Sequence, residues 1–326
     1  MKNIFKISLM ALLMLAGVSC SDFGDINNDP NNTTSVAPEV LLTNAMRTVS
    51  SVVGRTTEVL YVQHMSETQY TDASRYLDVN FDFNGWYTGA LADLNHIIDL
   101  NTDEATKVDA MQSGSNANQI AVARILKAYF FNVLTDRWGP LPYTNALQGR
   151  ENLRPTYDSQ ETIYMDVINE LKEAVAQMDG GAGVDGDFIL GGDMDMWAVF
   201  ANSVRAKMAL RLSEVDEATG RAEFADAVAD GVISSNDMDI MYPYLAETNN
   251  QNPWFGRFIT RTDYAISSTM VDYMKPLGDP RLDVYADPAP NYGDVRGMPY
   301  GIEAAGDIPN DEVSFPGFPA VRGQDA

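Results

Sequence analysis

The stretch NQIAVARILKAYFFNVLTDRWGPLPYT, from Asn118 to Thr144, decides the fold of this chain. From Ile120 to Leu134 few side chains are strongly polar, and a helix that is apolar around most of its circumference is a buried helix. It is too short and too often interrupted by charge to span a bilayer. Gly139 and Pro140 end it, and Pro142 prevents a restart. The sequence therefore predicts a central buried helix on which other helices pack.

Trp138 lies at the end of this helix, where a tryptophan can either stack against a bound sugar or pack in the core. The stiff turn that follows it holds the indole close to the residues from Tyr129 to Leu134. We therefore predict that the indole packs on the helices and donates its N–H to a backbone carbonyl. Trp138→Ala should destabilise the domain. Trp254, in a polar loop, should instead serve ligand binding and matter little for stability.

Further apolar stripes with helical spacing occur along the chain, whereas the alternation of a strand is nearly absent. The prediction is a mainly α fold of irregular, tetratricopeptide-like helical hairpins with long inserted loops and at most a short β-hairpin. The predicted helices cover Leu41 to Val49, Val59 to Met65, Trp86 to Ile98, Ile163 to Met178, Trp197 to Leu212, a short segment at Phe224 and Val228, and Ser267 to Lys275.

Two helix starts carry capping signals. Asp158 and Glu161 resemble a capping box before the helix that begins near Ile163. Asp193 is expected to cap the helix that contains Trp197. Beyond residue 281 the chain is rich in proline and glycine, and no packed element is predicted there.

The charge of the chain limits its partners. The 326 residues carry a formal net charge of −24. Nucleic-acid binding requires basic surface that neutralises phosphate, so the balance argues against a nucleic-acid partner. It argues equally against electrostatic docking on anionic lipid.

The N-terminus predicts secretion and lipid attachment. Lys2 and Lys6 precede a short apolar run from Ile7 to Val18, the pattern of a signal peptide. Cys20, the only cysteine, follows and is expected to become the acylated first residue of a lipoprotein. Cleavage by an ordinary signal peptidase, with Cys20 incidental, is the alternative. The expected domains are residues 1–19 as signal peptide, 20–38 as acylated tether and 39–326 as one helical domain.

No metal or cofactor site is predicted. The acidic run that begins at Asp25 imitates a calcium loop, but Pro30 stands where glycine is required. His64 and Glu67 lie one turn apart on the predicted helix without a second histidine, so a surface pair is a better interpretation than zinc. The glycines of residues 181–186 match a dinucleotide fingerprint but follow a helix and not a strand, so nucleotide binding is rejected.

Two loop regions carry the residue types that bind sugars. Oligosaccharide recognition needs aromatic faces for the pyranose ring and nearby polar groups for its hydroxyls. In the alternative interpretation these aromatic side chains only close loops onto the core. The ligand-binding candidates are Tyr70, Asp72, Tyr76 and Asn84 in one region, and Tyr242, Asn249, Asn250, Gln251, Trp254 and Arg257 in the other.

The segment LTDRWGPLPYTNAL, from Leu134 to Leu147, resembles the SusD/RagB family of Bacteroidetes outer-membrane lipoproteins. The resemblance extends from Cys20 to about Tyr300 and is strongest to the nutrient-binding branch. Members of that family continue past this length, so the chain is expected to be incomplete at its C-terminus. The other segments that agree, in order, are DFGDINNDPN, PTYDSQETIYMDVINELKEAV, WAVFANSVRAKMALRL, TRTDYAISSTMVDYM and DPRL.

The resemblance implies a SusD-like helical fold, a lipid-anchored position on the outer membrane facing the cell exterior, and a SusC-like TonB-dependent transporter as partner. The implied function is capture of an oligosaccharide, or in some relatives a peptide, for import. No enzymatic activity is expected. A glycoside hydrolase with paired carboxylates, such as Asp193 with Asp195 or Asp279 with Asp283, is disfavoured because 46 acidic residues create such pairs by chance. A structural partner of the transporter without a ligand stays open as a third hypothesis.

Overall fold

The architecture is built from helices with two small sheets. The computed structural model describes residues 36–77, 81–318 and 320–325. The helices are Pro38–Val53 (α1), Thr56–Tyr61 (α2), Asn84–Thr88 (α3), Ala90–Thr102 (α4), Lys107–Ala110 (α5), Asn116–Trp138 (α6), Gln160–Gln177 (α7), Met194–Arg211 (α8), Glu217–Asp230 (α9), Pro253–Phe258 (α10), Ser268–Met274 (α11) and Leu282–Tyr285 (α12). The strands are Met65–Glu67 (β1), Leu141–Pro142 (β2), Tyr157–Asp158 (β3) and Tyr264–Ile266 (β4).

Helix α6 is the centre of the larger core, as predicted. Ile125, Phe130 and Leu134 are fully buried on it, and α4, α7 and α8 pack around it. Each buried side chain of this size stabilises the fold by roughly 1.5–3 kcal/mol. The helix begins behind Ser115, whose hydroxyl accepts a hydrogen bond from a backbone N–H, and it ends at Gly139.

Helices that are neighbours in the chain pack on one another, which confirms the predicted hairpin fold. The pairs with the most contact are α6 with α7 and α8 with α9, and α1 packs on α4. One apolar cluster runs through α1, α4, α6, α7 and α8. None of the helices in the described ranges is long and apolar enough to cross a membrane.

A second, smaller core lies around the β1–β4 sheet. The two strands are antiparallel, and Met65 pairs with Ile266. Leu60, Trp254 and Val271 are buried in the same cluster. The two strands are about 200 residues apart in the chain, and each is only three residues long. A strand of this length is too short to show an alternation of apolar and polar residues in the sequence.

The predicted helix from Val59 to Met65 is wrong at its C-terminal end. Helix α2 stops at Tyr61, and Gln63 has a φ of 59°, which a right-handed helix cannot contain. His64 and Glu67 therefore do not share a helix face. His64 is exposed, whereas Glu67 is buried in β1, so the predicted surface pair does not exist.

Three other local predictions need correction, and one is confirmed. The N-cap of α7 is Ser159, which accepts from the N–H of Thr162, so the capping box on Asp158 is wrong. The stripe from Trp86 to Ile98 is divided into α3 and α4 at Gly89. Beyond residue 281 the chain forms α12. Asp193 caps α8 by accepting from a backbone N–H, as predicted.

Candidate functional site

A cleft of about 370 Å³ brings part of the predicted ligand set together. Its walls are the polar face of α1, the junction of α3 and α4, and residues 242–251. We call it the polar cleft. Tyr242 and Asn250, both predicted from the sequence as ligand-binding residues, line it, as do the neighbouring Asn249 and Gln251.

Helix α1 supplies one wall because it is amphipathic. Leu41, Leu42, Ala45 and Met46 face the core and are buried. Residues three and four apart in a helix share a face, so the opposite side presents a polar row to the cleft. The members of this row are Asn44, Arg47, Thr48 and Ser51.

Arg47 is the cationic group of the cleft, and the sequence reasoning missed it. Its side chain is exposed, and within the described part of the chain it has no ion pair or hydrogen bond. A guanidinium offers five N–H donors, so Arg47 is available to hydroxyl or carboxylate groups of a ligand. The position of Arg47 opposite the buried apolar stripe of α1 is the sequence feature that could have predicted this residue.

Tyr242 and Tyr244 form the aromatic wall of the polar cleft. Their rings lie 4.8 Å apart at 49°, and Tyr242 also packs edge-on against Phe188 at 5.5 Å. The Ser50 hydroxyl donates to the Tyr244 oxygen at 3.3 Å. Burial raises the pKa of Tyr242, Tyr244 adds to this effect, and Arg47 opposes it. The Tyr242 phenol therefore stays protonated at neutral pH and can both donate and accept.

The amides of the polar cleft are held by a turn. The N–H of Leu245 donates to the carbonyl of Asn250 at 2.9 Å, and the Asn250 side chain donates to Glu247. The amide oxygen of Gln251 accepts from Gln324 at 3.3 Å. The segment thus has a defined shape although it contains no regular element.

The other predicted region lies around β1 and does not line the polar cleft. Tyr70, Asp72 and Tyr76 are exposed there. Both tyrosines have positive φ, 54° and 58°, which is uncommon for aromatic residues and occurs often at binding sites. Arg261 lies 4.9 Å above the Tyr70 ring.

Tyr76 belongs to a group of rings that we call the aromatic surface, which consists of Tyr61, Tyr76, Phe81 and Tyr300. Tyr76 lies 5.1 Å from Tyr61 and 6.3 Å from Tyr300, and its hydroxyl donates to the carbonyl of Tyr61. Because the Tyr76 side chain is 47% exposed, one ring of this group is accessible to a ligand.

Asn84, Trp254 and Arg257 lie elsewhere. Asn84 is exposed at the start of α3, next to Gly85 of the polar cleft. Trp254 is only 8% exposed, so its predicted place in a polar loop is wrong. The reason is Pro253, which opens α10 and directs Trp254 into the second core, edge-on to Tyr264. Arg257 lies 5.3 Å from the Trp254 ring.

Trp138 has the predicted core role. Its indole is half-buried against the main core and packs edge-on against Phe83 at 5.7 Å. Its N–H donates to the carbonyl of Phe81 at 3.1 Å, which confirms the predicted hydrogen bond.

Two of the four carboxylates considered for catalysis, Asp193 and Asp279, have structural roles. Asp193 caps α8. Arg281 hydrogen-bonds Asp279 and lowers its pKa to about 2, so Asp279 is not a general acid at neutral pH. Among the described residues, no group of three or more His, Cys, Asp or Glu side chains could hold a metal ion.

The chain matches known proteins at the level of family and fold. A family model described as starch-binding and associating with the outer membrane matches residues 30–314. No curated protein matches. A solved chitin-binding protein is 25% identical with a TM-score of 0.73, and the alignment covers 88% of this chain and 65% of that one.

Two further solved structures have the same fold. An outer-membrane protein of Bacteroides vulgatus, described as involved in nutrient binding, is 23% identical with a TM-score of 0.74 and coverages of 89% and 65%. A chitin-binding SusD homologue from Flavobacterium johnsoniae is 22% identical with a TM-score of 0.66 and coverages of 88% and 62%. The chain therefore spans less than two thirds of the length of these three structures. Because the family model matches most of the sequence, the chain belongs to the SusD-like family.

Proposed function

We propose that this protein captures an oligosaccharide at the cell surface for import. The observation that carries the proposal is the polar cleft in a SusD-like fold, where Tyr242, the amides of residues 249–251 and the unpaired Arg47 converge. A pyranose ring has an apolar face that packs on aromatic rings and hydroxyls that pair with amides and guanidinium. Relatives named as chitin-binding make N-acetylated glycans the first class to test.

The proposal also includes attachment of the protein to the membrane and a transporter as its partner. Cys20 lies outside the described residues; we propose that it is acylated and that residues 20–38 tether the domain of residues 39–326 to the outer membrane, facing the exterior. A SusC-like TonB-dependent transporter is the proposed recipient of the ligand. Cys20→Ala should abolish incorporation of labelled palmitate and release the protein from membranes. Retention of label in this variant would contradict the anchor.

Calorimetric titration of the chain from residue 21 tests the ligand class. Chitooligosaccharides, maltooligosaccharides and mixed oligopeptides are titrated at concentrations up to the millimolar range. Binding of a glycan supports the proposal, whereas binding of peptides alone supports the alternative of a peptide-capturing lipoprotein. If none binds, the protein is better explained as a structural partner of the transporter. Release of products from a glycan would contradict a purely binding role.

Matched variants locate the ligand. Tyr242→Ala and Arg47→Ala should each weaken glycan binding by roughly three- to tenfold, the effect of losing one aromatic or charged contact. Tyr273→Ala is the control, because this tyrosine is 74% exposed and does not line the polar cleft. Loss of binding in Tyr76→Ala, with Tyr242→Ala unaffected, would place the ligand on the aromatic surface instead.

A further inference from the structure

A second, larger cavity lies on the other side of the tyrosine wall. It measures about 700 Å³ and is bounded by α1, α6, α8 and residues 239–244, and we call it the apolar cavity. Buried Leu126, Trp197 and Val204 line its inner part. At its outer edge Met241 is 73% exposed. A volume of this size lies within the range of ligand pockets, roughly 300–1,000 Å³.

Two polar side chains of the apolar cavity, Ser203 and Trp197, are already paired. The Ser203 hydroxyl donates to the carbonyl of Val199 at 2.7 Å and accepts from the N–H of Ile233 at 2.9 Å. The Trp197 indole donates to Asp187 at 2.8 Å. A ligand therefore meets apolar surface and rings over most of the cavity, and no sugar hydroxyl finds a free partner on these two side chains.

Lys207 is the cationic side chain of the apolar cavity. Its ammonium lies 6.0 Å from the centroid of the Tyr129 ring, and it has no ion pair within the described ranges. Burial lowers the pKa of Lys207, Asp136 opposes this effect and Arg211 adds to it. The Lys207 side chain is still exposed to solvent, and an anion placed beside it favours its charged form. The lining also contains Asp239, a carboxylate that is exposed to solvent like Lys207.

We propose that the apolar cavity binds a small amphiphile with an alkyl or aryl body and one anionic head group. The body packs on Leu126, Trp197 and Val204, and the head pairs with Lys207. This inference goes beyond the proposed glycan capture, since it concerns a different cavity and a different ligand class. If this inference fails, the proposed glycan binding in the polar cleft is not affected.

Sodium decanoate is the first probe, and calorimetric titration of the chain from residue 21 is the measurement. Decanoate should bind more tightly than hexanoate, by up to about fourfold for each added methylene. It should also bind more tightly than decyltrimethylammonium, which has the same tail and the opposite charge. Absence of decanoate binding, or tighter binding of the cation, overturns the proposal.

Variants test the contacts of the ligand's anionic head group and of its alkyl tail separately. Lys207→Gln should weaken decanoate binding about tenfold and should not weaken decyltrimethylammonium binding, because it removes a positive charge. Lys107→Gln, at a lysine outside the cavity whose side chain is 38% exposed, should change neither. Ile240→Trp fills the cavity and should abolish binding. Met241→Trp at the exposed edge gives the same test if the first variant does not fold. Decanoate binding that is unchanged in Lys207→Gln, or in a tryptophan variant that folds, overturns the proposal. The same holds if sedimentation shows a dimer whose interface closes the cavity and excludes decanoate.

Discussion

Trp138 and Trp254 both stabilise the fold, but in different cores. Trp138, the last residue of α6, is half-buried against the main core and hydrogen-bonded to Phe81, whereas Trp254 is buried beside Tyr264. Truncating a buried tryptophan costs roughly 3–5 kcal/mol. We expect Trp254→Ala to reach this range and Trp138→Ala to fall near its lower end. Denaturant titration measures both, and a Trp254→Ala variant that unfolds like the parent but loses ligand would contradict its core role.

Glu67 should make stability depend on pH. Burial is the main cause that raises the pKa of Glu67, while hydrogen bonds from Ser74 oppose it. A carboxyl whose pKa is higher in the folded than in the unfolded state contributes stability below its unfolded pKa and loses it as the pH rises through the folded pKa. The ordinary value is 4.5.

The variant Glu67→Gln removes this titration. Its stability relative to the parent should therefore increase as the pH rises from about 4 to 7. Thermal melts over this pH range provide the measurement. Glu303→Gln, at a side chain that is 85% exposed, is the control and should give a constant difference. A parent and Glu67→Gln variant with parallel profiles would contradict a raised pKa.

At the scale of the element, the end of α6 depends on Gly139. Its φ is 73° and its ψ is −121°, a conformation that disfavours a side chain, although no atom lies within 4 Å of an added Cβ. Gly139→Ala should therefore destabilise the protein by about 1–2 kcal/mol through backbone strain alone. Gly180→Ala, which also meets no atom but has no positive φ, should change stability little. Equal effects in denaturant titration would contradict this account.

The elements differ in how far the sequence predicts them. Helix α6 can be predicted because its run of apolar residues and the glycine that ends it are both visible in the local sequence. The sheet of β1 and β4 is not, since three-residue strands are defined by a distant partner. The same holds for the site: Tyr242 and Asn250 lie close in sequence and meet in the polar cleft, but Arg47 joins them only through the packing of α1. The buried place of Trp254 likewise depends on the second core.

At the scale of the whole molecule, stability should be unevenly distributed. Amides in a fully packed helix exchange with solvent only through global unfolding, whereas irregular exposed segments exchange through local opening. Helix α6 is buried on nearly all sides, while residues 239–251 contain no helix or strand and are largely exposed. This segment nevertheless forms a wall of both the polar cleft and the apolar cavity.

Hydrogen exchange followed by mass spectrometry tests this distribution. Peptides from the middle of α6 should exchange most slowly, and peptides covering 239–251 should exchange orders of magnitude faster. A ligand that occupies the polar cleft should slow exchange in 239–251 and leave the ranking of the helices unchanged, because it binds a locally opening wall and not the core. Protection that appears in β1 and the aromatic surface instead would assign the ligand to Tyr76. Fast exchange in α6 would contradict its role as the centre of the fold.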